Sequence, residues 1–385
     1  MLIAHISDTH LGYRQYNLDE REEDIYKLFN ETIEKILAEK PNIVIHTGDL
    51  FDQPRPPVKA LRVAYQGFRK LRDRGIRVYC ILGDHDIPKR RGEPPHKLLQ
   101  ELGVIEVIGY NPLSEEPYRV ISNILIAGLR NMPKKYSSTL ISLLLKLSTK
   151  AKEYSKAIIM LHQGIKEHFP YSYELELKHL PPGFNYYALG HIHMRTWFHL
   201  HDGIVGYAGS MDIIRIDEWE DYVRNGKGFY LVDLSKREPI IHKIDLEGIR
   251  QHIIIEVNYR ELDKKLKEVL RIANSELKPI LHLTVKGDKI DKTYVQRLLL
   301  RVLQGKVLTW RLRFEEASKH KDIRKPVIEK IDIEQLIKEV IRDEEVAELA
   351  LKLIDPLASG DIDQALKITE EYYKLLGGGV DNKKS

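Results

Sequence analysis

Five short aliphatic runs restrict this fold more than any other feature: Leu2–Ile6, Ile43–His46, Val78–Leu82, Ala157–Leu161 and Tyr186–Leu189. Runs rich in β-branched and aliphatic residues read as buried strands of a parallel or mixed sheet. Directly behind them stand Asp8-Thr9-His10, Gly48-Asp49, Gly83-Asp84-His85-Asp86, His162-Gln163-Gly164 and Gly190-His191-Ile192-His193. These are the residue types that bind transition metals. In open α/β sheets, ligands sit outside the carboxyl ends of the strands. The five segments are therefore expected to converge on one metal site, although nearly half the chain separates the first from the last.

Asp8, His10, Asp49, Asp84, His162, His191 and His193 are seven candidate ligands, too many for one four- to six-coordinate ion. A bridging carboxylate such as Asp49 can hold two ions about 3.5–4 Å apart, the spacing of two-metal phosphoryl-transfer sites. Mixed imidazole and carboxylate ligands without thiolate suit Mn²⁺, Fe²⁺ or Zn²⁺ and disfavour copper or an iron–sulfur cluster. Alternate side chains of an extended segment share a face, so the D-x-H and H-x-H spacings aim both members of each pair the same way.

D-x-H, G-D, G-[ND]-H-D, H and G-H-x-H in this order resemble the signature of the calcineurin-like metallophosphoesterases. Longer phrases point to one branch: "ISDTHLGY", "HTGDLFDQPRP", "LGDHD", "LHQG", "YALGHIH", "GYAGSMD" and "NGKGFYLVD". They are similar to the double-strand-break-repair nucleases that work with an ABC-type ATPase, found in archaea and eukaryotes and SbcD-like in bacteria. The match runs by motif over residues 1–235 and by layout beyond.

The resemblance implies a metallophosphoesterase sandwich with a small α/β capping domain and a C-terminal helical partner-binding segment. It gives one metal Asp8, His10, Asp49 and His193, and the other Asp49, Asp84, His162 and His191. His85 becomes the catalytic residue that stabilises or protonates the phosphate. The cofactor implied is two Mn²⁺, with Fe²⁺ or Zn²⁺ as alternatives. Two positions depart from the family: Asp84 replaces a common Asn and adds a negative charge, and Asp52 replaces a frequent His.

At 385 residues the chain has length for two or three domains. No uninterrupted apolar stretch is long enough for a transmembrane helix, and "LIAHISD" lacks the layout of a secretory signal. The single cysteine, Cys80, precludes an internal disulfide, suits a reducing compartment and reads as a buried small hydrophobe. A cytoplasmic protein is expected, nucleoid-associated if prokaryotic. Net charge is +4, but residues 329–385 hold fourteen acidic and eight basic residues, leaving +10 for residues 1–328. A basic body suits a polyanionic substrate such as DNA. Lys89, Arg90 and Arg91 follow the "GDHD" loop and Arg55 follows "GDLFD", so all four are candidate DNA contacts. Arg130, Lys134 and Lys135, beside Tyr136, form a further basic cluster.

Residues 1–239 are expected to form the nuclease domain, and 240–320 the cap. The cap is predicted to contain strands at His252–Val257, Ile280–Lys286 and Val307–Phe314, with helices at Glu261–Ile272 and Thr293–Leu303. His282 reads as structural, and Leu246–Arg250 with Gly248 as a hinge. Residues 321–330 read as a linker, 331–378 as helices and 379–385 as a disordered tail. The helical stripes include Leu336, Val340, Leu349 and Leu353, with Pro356 ending one of them. Each stripe needs a covering surface; the resemblance supplies the base of the ATPase coiled coil. It also implies a homodimer, through Lys59–Arg72 (Leu61, Val63, Phe68, Leu71) and His96–Leu102. The expected function is a Mn²⁺-dependent DNA exo/endonuclease in double-strand-break end processing. The alternatives are a small-substrate phosphodiesterase or protein phosphatase of the same superfamily, or a non-catalytic scaffold.

Overall fold

The computed structural model describes residues 1–89, 92–170, 173–272, 277–316, 337, 341, 343–358 and 362–375. Met1–Lys286 with Ile290–Glu315 form one compact unit, and Gly287–Lys289 with Glu316–Ser385 a second.

The first unit begins with β1 (Leu2–Ile6), β2 (Ile43–His46), β3 (Arg77–Cys80), β4 (Glu106–Val107), β5 (Tyr118–Ile121) and β6 (Ile124–Leu129). There follow β7 (Lys156–His162), β8 (Tyr186–Gly190), β9 (Thr196–Leu200), β10 (Gly203–Tyr207), β11 (Gly228–Asp233) and β12 (Ile240–Asp245). They form two six-stranded sheets, ordered β12-β11-β1-β2-β3-β4 and β5-β6-β7-β8-β10-β9. All five aliphatic runs are strands, but they divide between two mixed sheets. β1, β2 and β3 are parallel neighbours in the first, and β7 and β8 in the second. The third run is a shorter strand than expected, Arg77–Cys80, with Ile81 and Leu82 leading into the loop.

The period-two alternation of strands sorts the residues into layers. Ile3, Ile43, Ile45 and Tyr79 join Ile126, Ile158, Met160 and Tyr186 in one buried cluster, which is the sandwich interior. The intervening Ala4, Ile6, Val44, Val78 and Cys80 pack with Phe29, Ile33, Phe68 and Leu71. Those last four belong to α1 (Asp19–Glu39) and α2 (Val58–Arg72). On the other outer face Leu125, Ala127, Ile159 and Leu161 meet Leu140, Leu144 and Leu147 of α4 (Ser137–Ala151); α3 is Pro95–Glu101. Each fully buried Leu or Ile contributes about 1.5–3 kcal/mol of transfer free energy. Cys80 is buried and free, as expected of a core thiol.

Three expectations change. The first-domain boundary lies beyond 239, because β12 pairs antiparallel with β11 from Gly228↔Asp245 to Asp233↔Ile240. The anticipated hinge is pinned. Leu246 N–H donates to the Lys227 carbonyl at 3.0 Å. Glu247 and Gly248 N–H donate to the Glu31 carboxylate at 2.7 and 3.0 Å, and Arg250 grips Asp24 at 2.6 and 2.8 Å. Of the helical residues nominated for a dimer contact, Val63, Phe68 and Leu71 lie in the chain's own core, whereas Leu98 and Leu102 are exposed.

The region expected to form a cap holds a three-stranded sheet, β13 (His252–Asn258), β14 (Ile280–Gly287) and β15 (Thr309–Glu316), with α6 (Leu262–Ile272) and α7 (Lys292–Leu303). Its core includes Leu266, Val269, Leu283, Val285, Leu298 and Leu299. His282 is half-buried and stacks on His252, ring centroids 5.3 Å apart.

In the second unit, helices Glu344–Ala358 and Ile362–Leu375 carry the buried Ala347 and Ala365. The first of them runs through Pro356, where an end was expected, to Ala358. Leu349 and Leu353 are half-buried. Leu336, Val340, residues 321–330 and residues 379–385 lie outside the described residues. Among the described residues no helix is long and apolar enough to cross a membrane.

Candidate metal centre

The seven candidate ligands meet at the carboxyl ends of β1, β2, β3, β7 and β8. Their donor atoms form the overlapping groups Asp8–His10–His193, Asp84–His162–His191 and Asp8–Asp49–His162, with donors of each group within 4.8 Å of one another. The β1 loop is tied to the β2 loop by Asp8 N–H to the Gly48 carbonyl and His10 N–H to the Asp49 carbonyl, both 3.0 Å. His191 N–H from the second sheet donates to Asp8 Oδ1 at 3.1 Å.

This convergence puts the backbone under strain. Asp8, His10, Asp49 and His191 have φ of 48°, 43°, 53° and 84°, so four of the seven occupy the left-handed region. Non-glycine residues do so uncommonly, and such outliers gather at functional sites. Close approach also explains two motif glycines. A Cβ on Gly48, whose φ is +97°, would stand 2.5 Å from His162 Nδ1, and one on Gly83 would collide with the Asp49 carboxylate.

The donor set fits divalent transition metals. With metal–ligand bonds of about 2.1 Å, neighbouring donors stand about 3.0–3.4 Å apart. His10 Nε2 lies 3.1 Å from His193 Nε2. His162 Nε2 lies 3.1 Å from Asp84 Oδ1 and 3.3 Å from Asp49 Oδ2, and His191 Nδ1 lies 3.2 Å from Asp84 Oδ1. Two of the four histidines have a hydrogen-bonded outer partner on the opposite ring nitrogen, as metal-bound histidines generally do, whereas His10 Nδ1 is buried without one among the described residues. His162 Nδ1 donates to the Thr47 carbonyl at 2.7 Å, and His193 Nδ1 to Glu218 Oε1 at 2.7 Å. Asp49 Oδ1 accepts His85 N–H at 3.0 Å, while Oδ2 faces both His10 and His162.

The charges agree. Burial alone would lower the pKa of His10, but Asp52, Asp49 and Asp8 outweigh it and raise the value to about 9. His162 is likewise raised against its burial, by Asp49 and Asp84. Burial would raise the pKa of Asp84, yet His162 and His191 hold it down. The field that favours imidazolium here also favours a cation.

His85 stands beside the ligands, its ring centroid 4.9 Å from that of His10. It donates Nδ1–H to the Asp52 carbonyl at 2.7 Å, and Nε2 has no hydrogen-bond partner among the described residues. Asp52 Oδ1 is also 3.6 Å from His10 Nδ1. An open cavity of about 740 Å³ lies over the centre; His10, Asp49, Asp84, His85, His191 and His193 line it. Phe169, Met194, Ile214 and Arg215 complete much of its wall. Arg55 and Lys89 are exposed and do not line the cavity, and Arg90 and Arg91 lie outside the described residues. Sequence reading missed Thr47, Glu174, Arg215 and Glu218. Glu174 sits 4.0 Å from His191 Nε2 and accepts Gly164 N–H at 2.8 Å. No spacing relative to the motifs marks any of the four.

A two-sheet sandwich with mixed carboxylate and imidazole donors at its strand ends defines a metallophosphoesterase, and the calcineurin-like phosphoesterase family model matches residues 1–195. The protein named "DNA double-strand break repair protein Mre11" in Methanocaldococcus jannaschii is 38% identical over 379 residues, covering 97% of this chain and 98% of that one. Its namesake in Saccharolobus solfataricus is 39% identical over 390 residues, covering 97% and 98%. That of Sulfurisphaera tokodaii is 36% identical over 397 residues, covering 100% and 99%. The chain belongs to the calcineurin-like phosphoesterase family, and within it to the Mre11 group that these relatives represent. Membership implies a divalent metal site.

Proposed function

We propose that this chain is a two-metal DNA nuclease that hydrolyses phosphodiester bonds during double-strand-break end processing. One observation carries the reading: seven donors from five strand-end loops converge in overlapping groups beside His85, under an open cavity. Near full-length similarity to proteins named for break repair supports the choice of DNA. Asp8, His10, Asp49 and His193 would hold one Mn²⁺, and Asp49, Asp84, His162 and His191 the other. Bound divalent ions supply charge neutralisation at the phosphate and activation of water. Asp49 presents one oxygen toward both groups because the other is held by the His85 amide. His85, fixed by the Asp52 carbonyl, would in its imidazolium form donate Nε2–H to the phosphate or give that proton to the departing oxygen.

Arg55 and Lys89, with Arg90 and Arg91, would add sequence-independent phosphate contacts. The partner we assign is an ABC-type ATPase, held at its coiled-coil base by the C-terminal stripes that include Leu349 and Leu353. A homodimer would use Leu61, Leu98 and Leu102, since the neighbouring Val63, Phe68 and Leu71 are buried. The place of action would be the cytoplasm, on chromosomal DNA. The test is a Mn²⁺-supplemented comparison of double-stranded DNA, single-stranded DNA and a chromogenic phosphodiester. Cleavage of DNA is expected; turnover of a phosphopeptide or the small ester with DNA left intact would sink the nuclease reading.

A further inference from the structure

Behind His193 lies a buried ionic cluster that neither the ligand set nor the phosphate chemistry uses. Glu218, 5% exposed, closes the turn Ile216–Glu218 that leads into α5 (Trp219–Asn225). Its Oε1 accepts His193 Nδ1–H at 2.7 Å and Arg215 N–H at 3.1 Å; its Oε2 accepts Lys227 Nζ–H at 2.6 Å. Lys227 is 1% exposed, and its three ammonium protons meet three acceptors. The other two are the His193 carbonyl at 2.8 Å and Ser210 Oγ at 2.7 Å.

Stability is a poor reason for such a pair, because well-packed apolar residues in its place are often as stabilising or more so. Its geometry suggests another use. An ionised carboxylate only accepts, so contact with Glu218 places the His193 proton on Nδ1. Nε2 then keeps its lone pair, and Nε2 is the atom 3.1 Å from His10 Nε2 and 4.0 Å from Asp8 Oδ1. Lys227 grips the backbone of the residue whose side chain Glu218 orients.

We propose that Glu218, held by Lys227, is a positioning residue that fixes His193 as the Nδ1–H tautomer with Nε2 aimed at the Asp8–His10–His193 metal site. This rests on the metal reading above. Outer partners of metal-bound histidines typically change metal affinity by about 10–100-fold.

Two double variants test it, Glu218→Gln/Lys227→Met and Glu218→Leu/Lys227→Met. Both remove the ion pair, and only the first keeps an acceptor for His193. The readouts are the His193 tautomer, from ¹H–¹⁵N correlations of ¹⁵N-histidine-labelled metal-free protein, and Mn²⁺ binding isotherms. The glutamine variant is expected to keep Nδ1–H and bind both ions within about threefold of the parent. In the leucine variant the tautomer preference should be lost and one of two binding events weakened about 10–100-fold. The same tautomer and the same isotherms in both variants would overturn the proposal. Should the leucine variant fail to fold, Glu218→Ala/Lys227→Met decides, because it too removes the acceptor of His193 Nδ1–H: loss of the tautomer preference is expected there, and an unchanged Nδ1–H tautomer would overturn the proposal. A parent protein that bound no Mn²⁺ would defeat the metal reading, while the metal-free tautomer would still decide this one.

Discussion

Removing Asp24 should destabilise the first unit more than any single surface change, and the size of the effect follows from the charges around it. Asp24 is 2% exposed and accepts from Arg21 Nη1 at 2.7 Å and from Arg250 Nε and Nη2 at 2.6 and 2.8 Å. Arg21 also pairs with Asp212 at 2.5 Å, so two buried arginines balance two buried aspartates. Asp24→Ala leaves Arg250, 5% exposed, with the Lys278 carbonyl as its remaining acceptor among the described residues. An uncompensated buried charge costs about 3–5 kcal/mol. For a body this large that lowers the thermal midpoint by on the order of 10 °C. The double variant Asp24→Leu/Arg250→Met removes one charge of each sign and leaves the Arg21–Asp212 pair intact. It should recover most of the loss, because apolar replacement of a buried pair is often neutral or better. Thermal unfolding followed by circular dichroism measures both. A shift below about 2 °C in Asp24→Ala, or a double variant as damaged as the single, would refute this reasoning.

Other outcomes are accessible with the same protein. His85→Ala should lower DNA cleavage by about 10²–10⁴-fold with metal content unchanged; metal analysis of the purified variant would expose a ligand role. Asp84→Asn removes one ligand charge and should weaken Mn²⁺ binding by roughly tenfold while cleavage persists at saturating metal; an unchanged titration would count against direct coordination. Leu349→Asp with Leu353→Asp should abolish capture of the ATPase, since unpaired carboxylates in an apolar contact are costly, and leave cleavage of simple DNA intact. Pull-down at undiminished strength would remove this helix from the partner interface.

The metal loops were legible because strand-forming runs and ligand residue types coincide at five places, and chemistry forces such residues to meet. Less legible was which sheet each loop belongs to. An aliphatic run looks the same in either layer, and only pairing separates β3 from β7. Ile240–Asp245 escaped notice as an edge strand that is mostly exposed, with His242, Lys243 and Asp245 breaking its apolar pattern. Gly248 invited a hinge because glycine permits one. The two amides that would need freedom are instead held by Glu31, an acid 217 residues from Gly248 in sequence. Glu218 and Thr47 act through partners brought near by the fold, a carboxylate in one case and a backbone carbonyl in the other. Neither carries a local signature.

The most direct test of the two-metal nuclease is to count Mn²⁺ bound per chain on the sample whose cleavage of double-stranded DNA is followed during titration. The account predicts two ions at saturation, with cleavage rising as the second site fills and vanishing on chelation. A single ion at saturation, or cleavage indifferent to chelation, would contradict it.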